Sequence, residues 1–342
     1  MKQQTITDIA KALGVSTTTV HKALHGTGQL RPETREKILA YAKKVDYTPN
    51  IYAQSLVKKE AVIAYVASGE TPEYHEYIQK GIYEAFDEYK KQKVRGKFYQ
   101  YGGSNTYDEI LEILDQISRD DEVSALILNS RYQDAKHIAA IRKIAERHVP
   151  VLSIGSRLAL CPVSGYIMSD GIMMGKMAAE FLALARVKKA AVIVPNRDSE
   201  MHNLCIDGFR GSEFAQGIEM TGVYETGYHQ HAIAEATEQA VRRTPDIDGI
   251  YVASYYSMHV CSYLKQYGLA QKITVIGHDL HPRLADCLRD GSLNAVLFQN
   301  QRQQARLAVQ KLLDYLNVGI AITSTYSYPQ LILRSNLEGY QF

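Results

Sequence analysis

The sequence predicts an α/β protein in which a large body of parallel, helix-covered sheets follows a small all-α domain. Three observations predict it. At Ala61 the hydrophobic pattern changes from helical stripes to short apolar runs alternating with helical segments. The charge divides at the same place: residues 1–60 hold ten Lys and Arg against five Asp and Glu, the remainder 29 against 32. At 342 residues the chain also exceeds one small domain, since domains run to about 100–200 residues. A composition 46% hydrophobic and 22% charged excludes collagen-like and wholly disordered chains. No run nears the roughly 20 apolar residues of a membrane helix, and the first residues lack the apolar core of a secretory leader, so a cytoplasmic protein is expected. Cys161, Cys205, Cys261 and Cys287 lie far apart without zinc-ligand spacing, which predicts reduced thiols and no metal or cofactor.

The first helix is expected over residues 5–12, with Thr5 as cap, Asp8 three residues on, and Ile6, Ile9, Ala10 and Leu13 on one face. Gly14 ends it. Ser16 caps a second helix over residues 17–24, where Val20, Ala23 and Leu24 point inward while Thr17, Thr18, His21 and Lys22 point elsewhere. Two short helices joined by a glycine turn make a helix-turn-helix, whose second helix presents its first residues to base edges in the major groove. Lys22 suits guanine O6 and N7, and threonine offers a hydroxyl and a methyl. Pro32, Glu33 and Glu36 open a third helix with an apolar stripe of Ile38, Leu39, Ala42 and Val45.

The stretch TITDIAKALGVSTTTVHKALHGTGQLRPETREKILAYAKKVDYTPNIYAQSLVKK resembles the DNA-binding region of the LacI/GalR family of bacterial transcription regulators. The resemblance rests on Thr-Ile-x-Asp-Ile-Ala, Gly14-Val15-Ser16, Thr19-Val20, Thr34-Arg35, Tyr47-x-Pro49-Asn50 and Ala53-x-Ser55-Leu56. It implies a headpiece over residues 1–46 and a hinge over 47–60, whose helix lies in the minor groove with Leu56 wedged between base steps; such a wedge unstacks a step and kinks the duplex. The DNA-binding set is then Thr5, Ser16, Thr17, Thr18, Thr19, His21, Lys22, His25, Asn50, Ala53 and Leu56. His21, His25 and Arg31 depart from the family pattern, so no operator sequence is carried over.

In the body, strands are expected at 62–67, 96–101, 123–129, 149–154, 190–195, 249–253, 273–277 and 295–298, with helices between most of them. This is a βαβ series, shared by doubly wound lobes and by a TIM barrel. Val275-Ile276-Gly277-His278-Asp279 and Leu297-Phe298-Gln299-Asn300 resemble the sugar-binding proteins of the type I periplasmic fold. That resemblance implies a two-lobed core over 61–342, divided as 61–157 plus 281–320 and 158–280 plus 321–342. It places crossings near 155–160, 278–283 and 320–325 and an effector between the lobes. Carried over by position, the effector pocket comprises Tyr74, His75, Asp170, Met201, His202, Tyr251, Asp279 and Gln299. Arg157 stands in for a positive charge lost where Cys205 precedes Gly208-Phe209. Asp279 ranks first, because a carboxylate accepts from two adjacent hydroxyls at once; its alternative is a helix cap ahead of Pro282.

The expected function is sequence-specific, a repressor that binds operator DNA as a homodimer and answers to a small molecule, a sugar or sugar derivative. The alternative is a cytosolic sugar-converting enzyme using the α/β body. Gly-x-Ser-x-Gly, His-Glu-x-x-His, Gly-x-Gly-x-x-Gly and the phosphate-cradling loop are all missing from the sequence.

Overall fold

The computed structural model describes residues 6–25, 30–45, 60–69, 72–102, 105–227 and 229–340. Thr5 and the hinge residues Asn50, Ala53 and Leu56 lie outside the described residues, as do the side chains of His21 and His25.

Three helices form the head: α1 (Ile6–Leu13), α2 (Thr17–His25) and α3 (Pro32–Lys44). Gly14 takes φ +64°, which a side chain resists, and so ends α1 and turns the chain into α2. Ser16 Oγ accepts from the Thr19 amide at 3.1 Å, the cap expected of it. Ile9, Ala10, Val20, Ala23, Ile38 and Ala42 make the core. Leu39 was expected in that stripe but is 43% exposed, because the 100° helical step that turns Ile38 and Ala42 inward turns Leu39 out, and Tyr41 packs instead. Ser16, Thr17, Thr18 and Lys22 are exposed along one end of α2, as a reading face requires.

The body is built from two sheets. Their strands are β1 (Ala61–Ser68), β2 (Val94–Tyr101), β3 (Val123–Leu128), β4 (Val151–Ile154), β5 (Gly165–Ser169), β6 (Lys189–Val194), β7 (Glu219–Glu225), β8 (Gly249–Val252), β9 (Thr274–His278), β10 (Ala295–Phe298), β11 (Thr325–Ser327) and β12 (Gln330–Ile332). One sheet runs β11-β5-β4-β3-β1-β2 and the other β12-β10-β9-β8-β6-β7, parallel throughout except for β12. Each is therefore wound outward from its first strand, β1 or β6, the topology that opens a crevice at the carboxyl ends of the strands. The helices between are α4 (Pro72–Glu88), α5 (Thr106–Arg119), α6 (Ala135–Glu146), α7 (Gly171–Leu184), α8 (Glu200–Arg210), α9 (Gln230–Arg243), α10 (Ser257–Gln266), α11 (Pro282–Asp290) and α12 (Gln301–Val318).

Sheet membership moves the expected lobe boundaries. The chain crosses at 169–171, 298–301 and 327–330, not near 155–160, 278–283 and 320–325. The first shift arises because residues after 157 still supply β5 to the first sheet. The second arises because α11 buries Leu284, Ala285 and Leu288 in the second lobe's core. Helix α12 then returns to the first lobe, burying Ala305, Ala308 and Leu312 there. The lobes are thus 61–169 with 301–318 and 325–327, and 171–298 with 330–340.

The pair Gly208-Phe209 has a packing reason. Helices α7 and α8 cross at reciprocal glycines: a Cβ on Gly175 would sit 2.1 Å from Cys205 O, and one on Gly208 2.2 Å from Ile172 O. Neither backbone atom can yield without separating the helices. Gly208→Ala should therefore cost about 1–3 kcal/mol in urea unfolding; a midpoint equal to wild type would show that the helices do not meet this closely.

Candidate functional site

Strands of both sheets end on a cavity of about 190 Å³ between the lobes. The first lobe contributes Ser68 after β1, Tyr74 and His75 on α4, Tyr101 at the end of β2, Asn129, Ser130 and Arg131 after β3, and Gly155 and Ser156 after β4. The second contributes Ser199, Met201 and His202 around the start of α8, Ser254, Tyr255 and Tyr256 after β8, His278 and Asp279 at the end of β9, and Gln299 after β10. The lining is mostly hydroxyls, amides, imidazoles and phenol rings, suited to a ligand with polar edges and a carbon skeleton.

Asp279 is a buried carboxyl in the cavity wall. It sits at φ +64° and its carboxylate accepts from Gln299 Nε2 at 3.0 and 3.2 Å and from Gln301 Nε2. His281, not Asp279, occupies the cap position of α11, so the capping alternative for Asp279 is set aside. Burial pushes the Asp279 carboxyl up to about 7, and the two amide donors pull against that rise. The Gln301 Oε1 is buried without a hydrogen-bond partner among the described residues.

Three imidazoles around the cavity are held neutral. Burial lowers His75 to about 4. It lowers His202 to about 4, with a hydrogen bond to the backbone opposing. Burial, with His202 adding, lowers His278 to about 3. His202 Nδ1 lies 2.8 Å from Asn196 O, a pure acceptor, so Nδ1 carries the proton and Nε2 is left as an acceptor. His278 Nε2 meets Tyr251 Oη at 2.7 Å. On the first lobe, Tyr101 donates to Asn129 O at 3.1 Å, Asn129 Nδ2 to Ile154 O at 2.9 Å, and Ser156 Oγ to Ser130 O at 2.6 Å, fixing the loops after β3 and β4. Gly155 holds φ +78°, and a Cβ there would stand 3.1 Å from Tyr74 Oη and 3.0 Å from Asn129 Nδ2. Arg131 lies 4.9 Å over the Tyr132 ring and donates to its hydroxyl.

Of the nine residues expected in the pocket, Tyr74, His75, Met201, His202, Asp279 and Gln299 line it. Three do not. Tyr251 is fully buried, stacked 5.8 Å from Phe209, and orients His278 from behind. Asp170 caps α7, accepting from Met173 N at 3.0 Å. Arg157 reaches across the cavity rim to Glu200 at 2.5 Å, pairing the first lobe with the second. The residues missed, Asn129, Arg131, Ser254 and His278 among them, lie at strand ends or just after them; only the Gly277-His278-Asp279 stretch carried a signal. Among the described residues no group of three or more His, Cys, Asp and Glu is placed to hold a metal, and no helix is long and apolar enough to cross a membrane.

A helix-turn-helix head ahead of two lobes that close on a polar cavity defines a DNA-binding protein with a small-molecule sensor. Residues 5–50 match the family described as bacterial regulatory proteins, lacI family, and residues 61–320 the periplasmic binding protein domain. The chain belongs to the lacI family of bacterial transcriptional regulators, with a periplasmic-binding-protein-like body. It is 28% identical to the HTH-type transcriptional regulator DegA of Bacillus subtilis over 64% of this chain and 62% of that relative's length. It is 23% identical to the regulator MalR of Streptococcus pneumoniae TIGR4 over 92% of this chain and 93% of that one. The glucose-galactose binding protein GanP of Geobacillus stearothermophilus shares the fold, with TM-score 0.70 and 22% identity over 82% of this chain and 99% of that one.

The Asp279 shift has a stability consequence. Its folded carboxyl keeps a proton up to about pH 7, whereas the unfolded one loses it near about 3.9, so Asp279 costs stability as pH rises between those values. His75, His202 and His278 act oppositely, because their folded values are depressed: they cost stability as pH falls below about 6.5. Comparing Asp279→Asn with wild type cancels the histidines. The variant should gain on wild type as pH rises from 5 to 8 in urea melts, and a difference independent of pH would place the ionised Asp279 in a solvated site.

Proposed function

We propose that this regulator is a repressor that binds its operator as a homodimer and takes a neutral sugar or sugar derivative in the cavity between its lobes. The cavity carries the reading: polar groups from both lobes converge on it, so a ligand spanning it favours the closed arrangement by its differential contacts. Tyr74, His75, Met201, His202, Asp279 and Gln299 contact the ligand, joined by Asn129, Arg131 and His278. GanP's description as a glucose-galactose binding protein supports a sugar here. In the head, Ser16, Thr17, Thr18, Thr19 and Lys22 read the major groove beside Thr5, His21 and His25, and the hinge residues Asn50, Ala53 and Leu56 take the minor groove. Two copies are needed because one head reads one half-site. The work is done on DNA in the cytoplasm and without catalysis; incubating the chain with a panel of sugars tests this, since saturable binding without product supports a sensor and turnover supports an enzyme.

Two substitutions probe the two ends. Lys22→Ala should weaken binding to a selected operator more than to random DNA, because base contacts carry the sequence information; equal losses would remove Lys22 from the reading face. Arg157→Ala breaks a rim ion pair whose partners are 44% and 35% exposed, worth about 0–1 kcal/mol. If the pair holds the lobes closed, sugar affinity falls by up to about fivefold. A larger loss would put Arg157 on the ligand itself.

A further inference from the structure

We propose that Gln304, on α12, is the positioning residue that gathers the three chain crossings into one hinge and ties that hinge to the Asp279 carboxyl in the cavity wall. The lobes are joined at 169–171, 298–301 and 327–330. Gln304 touches two of these crossings and reaches the third through one hydroxyl. Its Nε2 donates to Gln299 O in the second crossing at 2.8 Å and to Ser169 Oγ at the start of the first at 3.1 Å. Ser169 Oγ lies 3.2 Å from Ser327 Oγ, where the third begins, and the Asp170 amide donates to Ser327 O at 3.3 Å. The Gln299 side chain donates to Asp279 at 3.0 and 3.2 Å. A continuous path therefore runs from Asp279 through Gln299, Gln304 and Ser169 to Ser327.

The donors and acceptors along this path fit one another. An amide nitrogen carries two hydrogens, and Gln304 uses one on Gln299 O and one on Ser169 Oγ. Ser169 Oγ thus accepts from Gln304 and keeps its own proton for Ser327 Oγ. Bonds chained in this way polarise and strengthen one another where the dielectric is low. Ser169, Gln304, Gln299 and Asp279 are all buried.

Packing alone does not call for an amide at this place. The buried face of α12 continues as Ala305, Ala308, Val309 and Leu312 in the core of the first lobe, where an apolar side chain in place of Gln304 would pack as well. Burying an amide is unfavourable unless its hydrogen bonds are made, and both bonds of this Nε2 land on a crossing. A helix of the first lobe thereby holds the strand end that supports a carboxyl of the second. One lobe turns against the other only by bending all three crossings, and the shared amide makes them bend together. A ligand that engages Asp279 acts on the Gln299 side chain, whose own carbonyl Gln304 grips. The hinge is read from geometry; its service to ligand signalling rests on the sensor reading above.

The test compares the full chain with Gln304→Met, which keeps the length of the side chain and removes its hydrogen bonds. Hydrogen exchange followed by mass spectrometry should be at least about fivefold faster than wild type in peptides covering 165–171 and 325–330, with β6 and β8 unchanged. Unchanged crossings, or an acceleration shared equally by β6 and β8, would overturn the hinge role and leave Gln304 a packing residue. Should that variant fail to fold, Ser169→Ala cuts the link to the third crossing alone; 325–330 should exchange faster in it, and an unchanged rate there would overturn the path. The double variant should exchange at 325–330 no faster than the faster single one, whereas accelerations that multiply would place the two residues on separate paths. For the signalling arm, D-glucose, D-galactose and D-arabinose are titrated with and without a selected operator. For a sugar whose affinity the operator changes in wild type, that factor should fall to within about twofold of unity in Gln304→Met. A factor equal to wild type would refute the link between hinge and signal. Failure of all three sugars to bind wild type would fault the sensor reading and leave the exchange rates to decide the hinge.

Discussion

A parallel strand delivers its chain to one end of a sheet, and that constraint shapes this molecule more than any single contact. In each lobe the strands are wound outward from β1 or β6, so the loops that follow them gather at a common edge. With the two edges facing each other, each lobe supplies half of one cavity. Polar groups placed there lose water and need partners, which is why the loops are laced by bonds such as Asn129 to Ile154 O and Ser156 to Ser130 O. The second crossing carries the largest such demand: Gln299 and Gln301, on either side of it, both donate to Asp279.

Electrically, burial weakens most of the ionisable groups at the seam: three imidazoles are lowered by it and the Asp279 carboxyl is raised. The standing charge in the lining is Arg131, which lies over Tyr132, while Arg157 is engaged by Glu200 at the rim.

Much of this was legible in the sequence where one physical cause dominates. Buried central strands read as apolar runs, and the residues expected at 295–298 are β10 itself. The capping serine, the turn glycine and the apolar stripe of the head are local, so they were readable as well. Of the four edge strands only β2 was read, at 96–101: β7, with the sequence EMTGVYE, is half exposed and alternates weakly, and β11 and β12 are three residues each. Missing β5 and assigning α11 to the wrong lobe displaced the crossings. The cavity was legible as far as position along strand ends allowed, which gave Tyr74, His75, Met201, His202, Asp279 and Gln299. Tyr251, Asp170 and Arg157 do not line it: Tyr251 is buried within β8, Asp170 caps α7 and Arg157 pairs with Glu200 at the rim, contacts that position along the chain does not announce.

Linkage gives the most direct measurement of the central claim, that cavity and head share one equilibrium. An operator is selected from random duplexes, the sugar dissociation constant is measured with and without saturating operator, and the operator dissociation constant with and without saturating sugar. A coupled sensor requires both constants to change, and by the same factor, since the coupling free energy is reciprocal. Sugar binding that is unaffected by saturating operator would contradict it.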